Sequence, residues 1–449
     1  MDIPSPDSRK NILDVLNKDC VQEILRRLMC LEDIQSAAEV CSRFQECAQR
    51  CFAVMEKHTF EWIGIGWPGN GANNLQYDHL KRFLVIFGHL IRSIRWLPHG
   101  YPEYDQNTIH IIAKWCGKTL KEFHIYEYNL IMNDQIQFKA LEKWSFCDAL
   151  PHNFRLDSPL RCLYISGDAV GQRPWFVREF PHLEQIQFGQ CDNLTHSILI
   201  EFLLLNPQLK SLEIYECQSL PYLTLEIIAS CSPNLEHLCF FDSYFLRRTY
   251  ILQKRDVLRP LIKLRKLKSL DFRCSYRFSY RFSYRFSYRQ LINFLVENDL
   301  PIERLALNPM DTRISSQYIP TLKTLIHIVI KGNITVDRLI RLMKTQTDLK
   351  TISFEPYCQL ETATSVYHVS KITETLKYGL NLHRVVYFGP GFDINLKEYE
   401  SILALSTGRV YVEIQTSQTK IDVPHSVLQA NRKWVNIKKY RLGANMRQW

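Results

Sequence analysis

A chain of 449 residues with 46% hydrophobic and 23% charged residues has the balance of a folded protein, long enough for two or three globular domains or one repeat array. Sixteen Gly and 19 Pro are too few for long flexible linkers. The formal charge of +10 is local, since fourteen Lys/Arg face only Asp256 and Asp271 between Arg247 and Arg289, and the near-neutral remainder argues against a general nucleic-acid binder.

The opening MDIPSPDSRKN holds no apolar core of a secretory signal, and apolar stretches such as Ile198–Leu205 are too short for a bilayer. The expected compartment is the cytosol or nucleus, without membrane contact. Fourteen scattered cysteines then read as reduced, buried small hydrophobes. Cys41, Cys47 and Cys51 form no CxxC pair and have no His at ligand spacing, so no metal site is expected.

Residues 1–10 read as a disordered tail and 11–58 as a unit of three short helices. Asn17 is placed to cap the first, with Asp19 in its first turn. Val21, Ile24, Leu25 and Leu28 follow at helical spacing, and Ile34, Ala37, Ala38 and Cys41 repeat it. A third helix carries Phe44, Ala48, Cys51 and Met55. So small a unit cannot bury all these side chains alone, so it packs on the rest of the chain as a cap or docks on a partner. Spacing leaves both readings open.

The stretch Ile12–Phe52 resembles an F-box. The matching residues are Leu16, Asp19, Val21, Ile24, Leu25, Leu28, Leu31, Asp33, Ile34, Ala37, Val40, Cys41, Phe44 and Ala48. The run AEVCSRF (Ala38–Phe44) is the most specific part, and the LN-x-D-C opening is similar to that of insect F-box/leucine-rich-repeat proteins. Asn17 stands where many F-boxes have Pro, and an Asn cap can also start the helix. The resemblance implies docking on the Skp-family adaptor of a cullin–RING ubiquitin ligase, through Leu16, Val21, Ile24, Leu25, Leu28, Leu31, Ile34, Val40 and Phe44.

Beyond the hook, apolar-x-x-apolar-x-apolar recurs eleven times, beginning at Leu120, Leu141, Leu160, Leu183, Leu209, Leu235, Leu267, Ile302, Leu325, Leu349 and Leu382. The steps Leu183→Leu209→Leu235 are 26 residues each and Leu325→Leu349 is 24, within the leucine-rich-repeat range. Positions 1, 4 and 6 place the inner face of a short strand in a stacked core. Helical return legs are expected at Ile198–Pro207, Leu225–Pro233, Gln290–Asp299 and Val336–Lys344. Cys191 and Cys217 fall at one place in consecutive repeats, as in the cysteine-containing repeats of F-box/leucine-rich-repeat proteins. The expected fold is α/β: a three-helix F-box, then a leucine-rich-repeat solenoid over 59–415 with parallel strands on its concave face and helices on its convex face. A cap over 416–449, containing Trp434 and Trp449, closes it.

The intervening strand positions would face a partner. They place Gln185, Gln187, Glu213, Tyr215, Cys239, Phe241, Asp271 and Arg273 in adjacent columns, with Tyr215 beside Phe241 and Arg273 next in line. Gln187, Glu213, Tyr215, Phe241, Asp271 and Arg273 are the expected substrate contacts, aromatics and Arg being frequent anchors. Phe241 can instead tuck under a loop. Residues 275–289 read SYRFSYRFSYRFSYR. This tandem is either an expanded surface loop or a lip of Arg277, Arg281, Arg285 and Arg289 for an acidic or phosphorylated peptide or single-stranded RNA.

Gly64, Gly66 and Gly69 match a dinucleotide fingerprint as a string, but Pro68 and NGANN spoil the helix it needs. No P-loop, HExxH or GxSxG motif is present and the fourteen histidines never cluster with Cys or acid at catalytic spacing, so no enzymatic activity and no cofactor are expected. The combined expectation is a substrate receptor of an SCF-type ubiquitin ligase. An interaction scaffold whose F-box no longer docks stands as its alternative.

Overall fold

The computed structural model describes residues 16–28, 31–54, 59–63, 72–97, 102–125, 137–147, 158–167, 177–221, 223–241, 255–273, 288–307, 322–331, 336–355, 365–389, 394–416 and 421–439. They fall into two compact units, 1–184 and 185–449. The Gly64–Gly69 string, most of the SYRF tandem, Met55 and Trp449 lie outside the described residues, as do the side chains of Leu31 and Arg273.

The first unit opens with three helices, α1 (Lys18–Arg26), α2 (Leu31–Ala38) and α3 (Ser42–Val54). The Asn17 side chain accepts the Cys20 backbone N–H at 2.7 Å, satisfying a donor that the helix start leaves open. Val21 and Leu25, one turn apart, are buried, as are Cys47, Ala48 and Cys51 of α3. The Cys51 thiol donates to the Gln22 carbonyl at 3.3 Å and the Cys47 thiol to Lys18 at 3.6 Å. Burial raises both thiols above their ordinary pKa, which suits core fillers rather than nucleophiles. Phe52 carries the unit onto α4 (Ala72–Phe87), with its ring 5.9 Å from Phe83 and 5.0 Å from Phe87.

Among the described residues this unit then has five parallel strands in chain order: β1 (Thr59–Ile63), β2 (Ser93–Leu97), β3 (Glu122–Ile125), β4 (Lys143–Cys147) and β5 (Cys162–Ser166). Helix α5 (Pro102–Cys116) joins β2 to β3. Ile94, Phe123, Trp144 and Leu163 stack in one register column, and all four are buried. These are repeat position 4, where a side chain on the inner pleat must leave water.

In the second unit the strands again follow chain order. They are β6 (Gln185–Gly189), β7 (Ser211–Tyr215), β8 (His237–Phe241), β9 (Ser269–Arg273), β10 (Arg304–Leu307), β11 (His327–Lys331), β12 (Thr351–Glu355), β13 (Arg384–Gly389), β15 (Tyr411–Thr416) and β17 (Val435–Lys439). A separate pair, β14 (Ile394–Asn395) and β16 (Ile421–Asp422), lies outside that sheet. The position-4 column runs Ile186, Leu212, Leu238, Leu270, Leu305, Ile328, Ile352, Val385, Val412 and Val435, all buried. This parallel, repeat-by-repeat register is a leucine-rich-repeat-type architecture. All eleven pattern copies carry strands.

The return legs are helical as expected at α6 (His196–Leu205), α7 (Thr224–Cys231), α9 (Tyr288–Glu297) and α10 (Val336–Thr345), with a single turn α8 (Arg255–Leu258) before β9. Helices α11 (Ser365–Tyr378) and α12 (Leu396–Ser406) were not anticipated, nor was the short α13 (His425–Ala430). Phe188 of β6 meets Phe202 of α6 edge-on at 6.1 Å, so positions 4 and 6 face the helices and positions 3, 5 and 7 form the opposite, open face. Val435–Lys439 adds a strand beside β15, with Val435 aligned to Val412.

Gln190 and Glu216 take left-handed backbone conformations (φ 55° and 53°) at equivalent places after β6 and β7. Their N–H groups donate to the Tyr215 and Phe241 carbonyls at 2.7 Å. Each is followed by a buried thiol, Cys191 and Cys217, donating to the carbonyl two residues back. The strained turn is held because it completes one more inter-strand bond.

Candidate partner-binding surfaces

Two surfaces are candidates for a partner. The first is on the three-helix unit. Ile24 and Val40 are 51% and 63% exposed, large apolar side chains left in water. Val21, Leu25 and Ile34, expected beside them as adaptor contacts, are sealed inside, where they hold the helices together. The helical stripe is wider than the interior, so its inner residues serve the fold and its outer ones remain free. Leu16, Leu28 and Phe44 are half-buried. Around this unit the charged rim is ordered: Lys18 and Arg50 both pair with Glu46, at 2.6 and 2.7 Å, and Arg43 donates to the Leu16 carbonyl.

The second is the open face of the repeats. Tyr215 and Phe241 are register partners with ring centroids 5.7 Å apart, as expected from their equivalent positions, and Arg273 aligns next to Phe241. Both aromatics are half-buried, as is Gln187. Cys239 and Asp271, expected to look outward, are instead fully covered. Position 5 lies mid-strand, where a short side chain is overtopped by longer ones two residues away on the same face.

Glu213 is the centre of a ladder of side-chain bonds running across five strands. Gln185 of β6 donates its amide to Glu213 Oε1 at 3.3 Å. His237 Nε2 of β8 stands 3.3 Å from the same oxygen. The Tyr215 hydroxyl donates to Oε2 at 2.8 Å. His237 Nδ1 shares a 2.6 Å hydrogen bond with the Ser269 hydroxyl on β9, and Arg304 of β10 donates to that oxygen at 3.1 Å. Burial alone would raise the Glu213 carboxyl, but the hydrogen bonds of His237 and Tyr215 and the positive field of His237 and Arg304 outweigh it and hold the group below the usual carboxylate range. Farther along, His327 Nε2 meets the Ser353 hydroxyl at 3.0 Å, and Arg384 donates to the buried Glu413 at 2.8 Å. Burial, and then the charges of Arg304 and Arg384, push the His327 imidazole down to about 4.

The first unit carries a smaller version. Glu122 accepts from Ser93 at 3.3 Å and lies 3.9 Å from His124 Nε2. The His124 contact, aided by Lys143, holds its carboxyl down to about 2 against the opposing effect of burial.

His237, Ser269, Arg304, His327 and Arg384 were not anticipated as surface residues. They share position 3 of their repeats, and that shared position was the signal available in the sequence. Among the described residues no group of three His, Cys, Asp or Glu is placed to hold a metal ion, and no helix is long and apolar enough to cross a membrane.

No protein-family model matches this chain, and no curated protein matches it. Among solved structures 69 chains match. One is the crystal structure of the Rad7 and Elc1 complex in yeast, with 18% identity, 65% of this chain and 79% of that chain covered, and a TM-score of 0.36. A likeness so slight carries no argument here. The architecture stands on the strand register itself.

Proposed function

We propose that this chain is a non-catalytic substrate receptor of an SCF-type ubiquitin ligase. Its helical unit docks on the Skp-family adaptor, and the open face of its repeats holds the protein to be modified. The observation that carries the reading is the exposure of Ile24 on α1 and of Val40 in the turn after α2, within a stretch, Leu16–Phe44, that resembles an F-box. An exposed pair of branched aliphatic side chains on a small rigid helical unit gains by being covered, at roughly 25 cal/mol per Å² of apolar area. The receptor's contribution to ubiquitin transfer is then positional. It raises the effective concentration of a target lysine near a charged enzyme supplied in trans, and contributes no reacting group.

A pull-down of full-length protein with a Skp-family adaptor tests it. Ile24→Asp and Val40→Asp should abolish recovery while leaving the chain folded. Unchanged recovery with both substitutions removes the ligase reading.

A specific observation favours a second reading. Val21, Leu25 and Ile34 are buried, and the Phe52 ring packs on Phe83 and Phe87, as a helical cap on the repeats would require. On that reading the chain is a binding scaffold without an adaptor. Target capture would then persist with no adaptor bound.

A further inference from the structure

The open face changes character between β10 and β13. Positions 3 and 5 of β11 and β12 carry His327, Val329, Thr351 and Ser353, none of them acidic, and the window is flanked by Arg304 on β10 and Arg384 on β13. Lys331 and Glu355, in register farther along the same two strands, cancel in formal charge. The positive field of both arginines reaches the imidazole between them. Each guanidinium is tethered on one side only: Arg304 donates to Ser269, and Arg384, 52% exposed, donates one N–H to Glu413. A guanidinium has five N–H donors in a planar fork, so each keeps donors for an incoming anion. With the half-buried Thr351 hydroxyl between them, the window offers donors to an anion, while the nearest carboxylates are Glu413, bonded to Arg384, and Glu355, in register with Lys331.

The extent of the window limits what can fill it. Arg304 and Arg384 are three strand spacings apart, about 14 Å, which is also the span of about four residues of extended peptide. The neighbouring carboxylates Glu213, Asp271 and Glu413 are buried, and Glu213 and Glu413 are already bonded within the sheet. Two cations separated by this span match a short segment with two separated charges, and Arg304 and Arg384 offer no continuous row of cations to a polyanionic backbone.

We infer that β10–β13 bind an extended acidic peptide segment of a partner protein, with two anionic side chains about four residues apart seated on Arg304 and Arg384. This rests on the reading that the open face takes up a target, and it assigns that target's chemistry. Aspartate, glutamate and phosphoserine share the anionic oxygens that a guanidinium recognises.

The test uses the full-length chain and fluorescent peptides bearing either two aspartates or two phosphoserines four residues apart, with a serine-only peptide as the neutral control. At least one anionic peptide should bind, and Arg304→Gln or Arg384→Gln should each weaken it about tenfold, the scale of one charge-assisted hydrogen bond. Arg265→Gln, an exposed cation of the same unit remote from the window in sequence, should change nothing. The carboxylate and phosphate peptides distinguish the two sources of charge. NMR of the His327 ring provides a site-specific readout, since a bound anion should move its titration upward from about 4. Failure of the wild type to bind either anionic peptide, or equal binding by wild type and both Gln variants, overturns the inference. So does an oligothymidylate that binds as tightly and loses as much on the same substitutions. Adaptor recovery measured on the same variants separates the two ideas. Loss of peptide binding sites with intact adaptor docking touches only the window, and failed docking with intact peptide binding touches only the ligase reading.

Discussion

Ile24 and Leu25 are successive residues of α1 in opposite surroundings, the first 51% exposed and the second 1%. One step around a helix is about 100°, enough to carry a side chain from the packed seam against α3 into solvent. The first of the pair is therefore available to a partner, and the second holds the unit together.

Substitutions at the two positions should separate cleanly. Leu25→Ala should cost about 2–5 kcal/mol, as a cavity in a small core that cannot readily close. Ile24→Asp should change stability by no more than about 0.5 kcal/mol while abolishing adaptor recovery. Urea unfolding of both variants checks this. A severe loss of stability in Ile24→Asp would place its side chain in the core.

The Glu213 ladder should be costly to break from one side. Glu213→Ala removes the acceptor of Gln185, Tyr215 and His237 together and should destabilise by about 3 kcal/mol. The carboxyl is depressed in the folded chain. Its stabilisation is therefore present above the unfolded value of about 4.3 and lost as pH falls through the folded pKa. A double-mutant cycle with His237→Ala should show a coupling of about 0.5–3 kcal/mol that disappears in acid. Strict additivity at neutral pH would mean the 3.3 Å contact contributes nothing.

His327 gives a pH dependence of its own. Its folded pKa of about 4 lies below the ordinary value of about 6.5. Between these the unfolded chain takes up a proton that the folded chain does not. Stability should fall as pH drops from about 6.5 to about 4, and level off below. His327→Gln should flatten that slope. Denaturation midpoints measured across this range for both proteins decide it, and parallel slopes would count against the assignment.

Gly117 closes the turn after α5, where a Cβ would press on the backbone carbonyls of Ala113 and Gln137. Neither carbonyl can rotate away as a side chain could. Gly117→Ala should therefore destabilise the first unit by about 1–3 kcal/mol, although Ala suits helices better than Gly. A thermal melt that shows stabilisation would contradict the close approach.

The sequence by itself determined eleven strands, β3 to β13, because the 1-4-6 pattern is a local period-2 rule, and a side chain on the inner pleat is buried wherever its strand stacks. It also determined that Tyr215 and Phe241 would be neighbours, since equivalent positions of consecutive repeats must align. It missed β15 and β17, whose first repeat position is Arg409 or Arg432 instead of an aliphatic residue. It overlooked β2 although Ile91, Ile94 and Trp96 fit the pattern. Only the tertiary structure decided which hydrophobes of the N-terminal stripe stay in water, because the width of the seam depends on how three helices pack. It alone joined Gln185, Glu213, His237, Ser269 and Arg304, residues of five repeats whose contact is set by strand register across the sheet and by no spacing along the chain.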